Sequence, residues 1–165
     1  MKYVIDTSSF TQAHRAYYSF KIAPTFWNFL DEQFKCKTIT SIDKVYDEIK
    51  RGKDKLYEWI CLDGIKSNLI DTKKEPGILQ HYGNLMQWAN GIERLKQNAR
   101  DEFATFENAD PWIVCCAMHY ELIVVSQETL SPFSKSRIFI PDVCEAFSIR
   151  HINTFEFLED IGFKM

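Results

Sequence analysis

Short apolar runs separated by helical segments constrain this chain more than any other feature of its sequence. Leu122–Val125 is the clearest run, being β-branched and followed by polar residues, and Tyr3–Ile5 reads as a buried first strand. Thr38–Thr40 predicts a short strand, Arg137–Ile140 a strand ended by Pro141, and Arg150–Asn153 a last strand. Helices are predicted over Phe10–Phe20, Pro24–Phe34, Ser41–Arg51, Asp110–Tyr120, Asp142–Ser148 and Thr154–Gly162. Gly52 stands where a glycine closes a helix, and Thr154 is the expected cap of the closing one. Strands that are apolar on both faces and alternate with helices predict an α/β fold built on a parallel sheet.

The middle of the chain, from about Lys53 to Thr105, predicts no strand. Asp54–Cys61, Ile78–Asn90 and Ile92–Phe106 have helical spacing, with breaks at Gly64, Pro76-Gly77 and Gly91. We read this stretch as a helical insertion within a single domain spanning residues 1–165, since no flexible linker bounds it. At 165 residues the length suits one domain, and no internal repeat is evident.

Composition narrows the function classes. Apolar residues make up 45% of the chain and aromatics 15%, which excludes a disordered chain. The formal net charge is −3 and the sequence pI is about 5.8, against a protein held to nucleic acid mainly by a basic surface. A compact acidic site acting on a polyanion remains compatible. Asp6 follows the first strand at once, leaving no room for a signal peptide. The longest apolar run, Trp112 to Met118, falls far short of the roughly 20 residues that span a bilayer, so no membrane association is expected. The five cysteines, Cys36, Cys61, Cys115, Cys116 and Cys144, form no C-x-x-C pair. They read as reduced core residues of a cytoplasmic protein.

Position selects among the acidic residues. Ligands of an open parallel sheet bind beyond the carboxyl ends of its strands. Asp6 directly follows the first strand, and Glu128 comes three residues after Val125. Asp110 opens the helix that leads into Leu122–Val125, so that helix starts at the same edge. Taken singly, each acid has a plain structural explanation: Asp110 as an N-cap before Pro111, Asp6 as a turn former, Glu128 as a solvated loop residue. Together they make a carboxylate cluster, whose mutual repulsion calls for raised pKa values or a neutralising cation. Oxygen ligands without His or Cys partners suit Mg²⁺ or Mn²⁺, ions that serve phosphate chemistry.

Val4-Ile5-Asp6-Thr7-Ser8, Asp110-x-x-Ile113-Val114 and Val124-Val125-Ser126-x-Glu128 resemble the ordered acidic motifs of PIN-domain nucleases, a family that includes VapC-type toxin ribonucleases. Ile152-Asn153-Thr154-Phe155-Glu156-Phe157-Leu158 is similar to the family's final strand and helix, so the resemblance runs from residue 3 to about 160. It implies a PIN-like three-layer α/β/α sandwich with a central, mainly parallel sheet. It implies a divalent-metal-dependent endoribonuclease, the toxin of a type II toxin–antitoxin pair, in which Asp6, Glu48, Asp110 and Glu128 hold Mg²⁺ or Mn²⁺ and Ser8 stands near the metal or its waters. RNA as substrate, a cognate antitoxin protein and a homodimer are further implications. Only the family pattern selects Glu48. Ile42, Val45, Tyr46 and Ile49 form the apolar stripe of its helix, and periodicity leaves Asp47 and Glu48 on opposite flanks.

The sequence also departs from the family. Glu128 stands where Asp is usual, Ser126 where Thr is usual, and Pro111-Trp112 where small residues are usual. The Glu128 and Trp112 departures lend weight to an alternative, a catalytically inactive PIN-like module that binds a protein or RNA partner. Asp142 is a further candidate for the site, or a helix cap. Haloacid-dehalogenase-type phosphatases need a second Asp two residues after the first, and Ser8 stands there instead. His14, His81, His119 and His151 lack metal-ligand spacing. Lys50, Arg51, Lys53, Lys55, Arg94, Lys96 and Arg100 are candidates for contacts to an RNA backbone, and Tyr17, Tyr18 and Trp88 for base stacking. Solvated faces and core packing account for most of these residues more simply.

Overall fold

Two three-residue strands of β-branched and aromatic residues, flanked by two strands of two residues, build the centre of the molecule. The computed structural model describes residues 1–164. β1 is Tyr3–Ile5, β2 Ile39–Thr40, β3 Ile123–Val125 and β4 His151–Ile152. They form one sheet in the order β2-β1-β3-β4, with every pairing parallel. Val4 lies opposite Thr40 on one side and Val124 on the other, and Val125 opposite Ile152. Tyr3, Val4, Val124 and Val125 are completely buried, as strands covered on both faces must be.

The helices follow the strands and supply the covers. α1 is Thr7–Gln12, α2 Pro24–Lys35, α3 Asp43–Lys50, α4 Lys55–Ile60 and α5 Asp63–Lys66. α6 is Pro76–Asn90, α7 Gln97–Phe103, α8 Ala109–Tyr120, α9 Ile140–Ala146 and α10 Thr154–Asp160. Ile5 and Val125 meet Phe10 of α1, Phe26 and Leu30 of α2, and Phe157 of α10 around one small apolar pocket. α8 packs on β1 and β3, with α3, α6 and α9 packed against it. Pro111 to Ala117 of α8 are all buried, which is why this helix is apolar all round rather than striped. Two helices of the middle region reach the core by different routes. Trp59 of α4 joins an aromatic cluster with Phe10, Trp27 and Phe34, and α6 lies along α8.

Several boundaries differ from the sequence expectation. Arg137–Ile140 is not a strand. The Ile140 N–H donates to the Glu128 carboxylate (2.8 Å), Pro141 has no N–H, and α9 starts at Ile140 instead of Asp142. The expected helix Phe10–Phe20 begins earlier, at Thr7, and widens into a π-helical turn over Ala13–Tyr17. Asn108, not Asp110, caps α8, its side chain accepting the Asp110 N–H at 3.0 Å. Asn153, not Thr154, caps α10 in a reciprocal capping box with Glu156. After α3 the left-handed residue is Lys53 (φ 50°) rather than Gly52. Among the described residues, the middle region contributes no strand to the sheet, only an isolated parallel bridge between Ile42 and Ile70. No described helix is long and apolar enough to cross a membrane.

The cysteines divide. Cys115, Cys116 and Cys144 are buried and unpaired, but Cys36 is exposed and Cys61 half-buried, so the expectation of a core role holds for three of the five.

Candidate active site

Where β1 ends, the Asp6 N–H still donates to the Val125 carbonyl (2.9 Å), and the side chain turns to cap α1. One carboxylate oxygen of Asp6 accepts the Ser8 N–H at 3.0 Å, the Ser8 hydroxyl at 2.6 Å and the Ser126 hydroxyl at 3.3 Å. These bonds explain how a carboxylate only 3% exposed can sit behind a strand. Ser8 and Ser126 hydroxyls lie 3.1 Å apart, and each also accepts a backbone N–H from the loop after β3, Ser8 that of Gln127 and Ser126 that of Glu128. The hydroxyls therefore tie the end of β1 to the end of β3.

Glu48 lies in the last turn of α3 and points at the same edge. Its carboxylate accepts the Thr7 hydroxyl and, at 3.1 Å, the Ala109 N–H at the start of α8. Burial raises its pKa, a shift opposed by these two donors and supported by the charge of Asp6. Asp110, in the first turn of α8, is pushed well above the ordinary carboxylate range by burial, with the charges of Asp6 and Glu128 acting in the same direction. Burial likewise raises Glu128, against the Ile140 N–H and the Arg137 charge.

A cleft of about 470 Å³ opens over these groups, lined by Asp6, Ser8, Glu48, Asp110 and Glu128. All five residues singled out in the sequence face one cleft at the carboxyl ends of the parallel strands. Thr7, Thr11, Arg51, Glu102, Thr105, Glu107, Asn108 and Arg137 complete its wall. Asp47 and Asp142 are not among the lining residues. Asp142 accepts the Ser131 N–H at 2.9 Å and so steadies the loop before α9.

Sequence reasoning missed Arg137. Its guanidinium bonds Asp110 at 3.2 Å and Glu128 more closely still, through the same nitrogen. A strand pattern concealed it, because the loop that carries it has no periodicity to read. Of the other basic residues considered, only Arg51 reaches the cleft wall. Arg100 instead donates to the Ile92 carbonyl at 2.6 Å. Tyr17 packs on Phe155 and Trp88 on Phe147, away from the cleft.

The donor set is all oxygen and strongly anionic, which fits a hard divalent cation. As the side chains stand, no three Asp, Glu, His or Cys residues among those described gather around a common point for a metal ion. Each acid is instead engaged: Asp6 by hydroxyls, Glu48 by Thr7 and Ala109, Asp110 and Glu128 by Arg137.

Residues 3–165 match a family described as "Domain of unknown function (DUF4411)". The chain belongs to that family. The fold of this DUF4411 chain is similar to that of a chain in the crystal structure of VapBC2 from Rickettsia felis bound to a DNA fragment from their promoter. The TM-score is 0.54 at 18% identity, over 93% of this chain and 98% of that one. The mixed α/β architecture with a central parallel sheet, expected above from the PIN-like resemblance, is the architecture shared with that structure. No curated protein matches the DUF4411 chain in sequence.

Proposed function

We propose that the chain is a divalent-metal-dependent endoribonuclease that hydrolyses RNA phosphodiester bonds, the toxin of a type II toxin–antitoxin pair. One observation carries this reading: Asp6, Glu48, Asp110 and Glu128, from four separated parts of the chain, line a single cleft beyond the carboxyl ends of a parallel sheet. The likeness in fold to a chain of a VapBC assembly supports an antitoxin as partner.

In this reading Asp6, Glu48, Asp110 and Glu128 hold Mg²⁺ or Mn²⁺. A divalent ion bound there supplies a water of lowered pKa and stabilises charge on the scissile phosphate. The rest is positioning by the protein. Ser8 and Ser126 hold the Asp6 carboxylate toward the cleft, and Thr7 with the Ala109 N–H holds that of Glu48. The Ile140 N–H keeps Glu128 pointing inward although it sits on a loop. In-line attack leaves a 5′-phosphate and a 3′-hydroxyl.

Purified Asp6→Asn protein tests the reading. It should remain folded and lose RNA cleavage that the wild type performs with Mg²⁺ or Mn²⁺ and that a chelator abolishes. Unchanged cleavage by that variant would remove the assignment.

The second reading is a catalytically inactive module that binds a protein or RNA partner. It is favoured by the hold of Arg137 on Asp110 and Glu128. It requires that calorimetric titration with Mn²⁺ show no binding and that no chelator-sensitive cleavage occur.

A further inference from the structure

The charges of the cleft are compensated unevenly. On the side of α8 and the loop after β3, one guanidinium bridges Asp110 and Glu128. Around Asp6 and Glu48 every donor is neutral: two hydroxyls and an N–H on Asp6, one hydroxyl and an N–H on Glu48. Neither residue forms an ion pair among the described residues.

Arg137 is not loosely placed. Its N–H donates to the Ser134 hydroxyl at 3.2 Å, and its guanidinium lies over the Phe139 ring, 5.0 Å from the centroid. The second oxygen of Glu128 is taken by the Ile140 N–H, so the carboxylate is held between the guanidinium and the start of α9. A guanidinium carries a permanent charge and suits paired carboxylates better than an ammonium does.

We propose that Arg137 takes the place of a second divalent ion: it neutralises Asp110 and Glu128, and the cleft accepts a single ion, held on the Asp6 and Glu48 side. The inference rests on the metal-dependent reading given above and narrows its ligand set from four acids to Asp6 and Glu48, with Asp110 and Glu128 turned to Arg137. It makes this cleft a one-ion site, in contrast to two-ion sites with metals about 3.5–4 Å apart. Arg137 then stands in contact with Asp110 and Glu128, whereas Arg51, on the same cleft wall, forms no ion pair with Asp6 or Glu48 among the described residues. The divalent ion is needed where the direct donors are neutral.

Counting ions tests this without any measurement of cleavage. Full-length protein is titrated with Mn²⁺, followed by calorimetry and by the electron paramagnetic resonance signal of free Mn²⁺. The wild type should bind one ion. Arg137→Gln should bind two, and Arg137→Lys, which keeps the charge, should again bind one. In the wild-type background Asp6→Asn should weaken the single ion at least tenfold, and Asp110→Asn less than threefold. This pair locates the ion even where Arg137→Gln fails to fold. Two ions in the wild type, one in both wild type and Arg137→Gln, or a larger loss from Asp110→Asn than from Asp6→Asn would each overturn the inference while leaving metal dependence standing. No binding by any of these proteins would overturn the metal-dependent reading itself, and this inference with it.

Discussion

The Glu48 carboxylate accepts the Ala109 N–H at 3.1 Å, so a side chain from α3 binds the first turn of α8 across 61 positions of sequence. Ala109 is completely buried, and its N–H belongs to the helix end that has no partner within the helix. Glu48→Ala leaves that donor and the Thr7 hydroxyl unsatisfied, and should cost about 1–3 kcal/mol in urea denaturation. Glu48→Gln keeps an acceptor and removes a buried charge. It should match the wild type within about 0.5 kcal/mol or exceed it.

Asp110 gives the pH dependence its sign. Its folded pKa lies above the ordinary value of 3.8, so the folded chain binds that proton more tightly than the unfolded chain does. Below both values the group is neutral in each state and costs nothing. As pH rises through 3.8 and then through the raised folded value, the penalty of the buried charge develops and stays. Asp110→Asn should therefore equal the wild type near pH 3, and with chelator present at pH 7 should be the more stable. Thermal melts of the two proteins across that range check this. A wild type that is the more stable at pH 7 would show that the Arg137 pair outweighs burial.

Trp112 joins the middle region to the sheet. It is 2% exposed, stacks on Tyr82 of α6 (centroids 4.1 Å apart, planes at 17°) and meets the edge of Phe106. Trp112→Ala should cost about 3–5 kcal/mol by chemical denaturation. The buried indole N–H lacks a partner among the described residues, so Trp112→Phe forfeits no hydrogen bond to them and should cost about half as much or less. Trp112, which stands where the resembled family has a small residue, is in three dimensions the place where α6 docks.

Thiol reactivity should separate the five cysteines. Burial pushes Cys116 and Cys144 up to about 12 and raises Cys115 further, so their thiolates are scarce at pH 8. In the native protein, a chromogenic disulfide reagent should modify the exposed Cys36 rapidly. It should reach Cys61, which lies 3.5 Å from the Tyr46 hydroxyl, more slowly. All five should react in denaturant. Fast native modification of more than two would contradict the packing of α8 and α9.

Much of the sheet is legible because a buried parallel strand writes itself in consecutive residues. Val4-Ile5-Asp6 and Val124-Val125-Ser126 each carry both the strand and the residue behind it. The sites of failure are loops and caps. Arg137–Ile140 has the composition of a strand, but its Ile140 N–H is claimed by a carboxylate 12 residues earlier. Asp110-Pro111 has the local signature of a cap, yet Asn108 two residues before accepts the bond. Propensity describes what a segment can do, and the nearest partner decides what it does.

From the order of its residues alone, the chain settled its fold class and the edge at which Asp6, Asp110 and Glu128 would stand, because strand direction and chain order are local, additive constraints. Periodicity could not choose between Asp47 and Glu48, and nothing local indicated Arg137. Those two outcomes were decided by the folded molecule: Glu48 meets the Thr7 hydroxyl and the buried Ala109 N–H, and Arg137 meets two carboxylates from other elements. Hydrogen bonds and charge pairs act through space over a few ångströms, and which groups come that close depends on the packing of the whole chain.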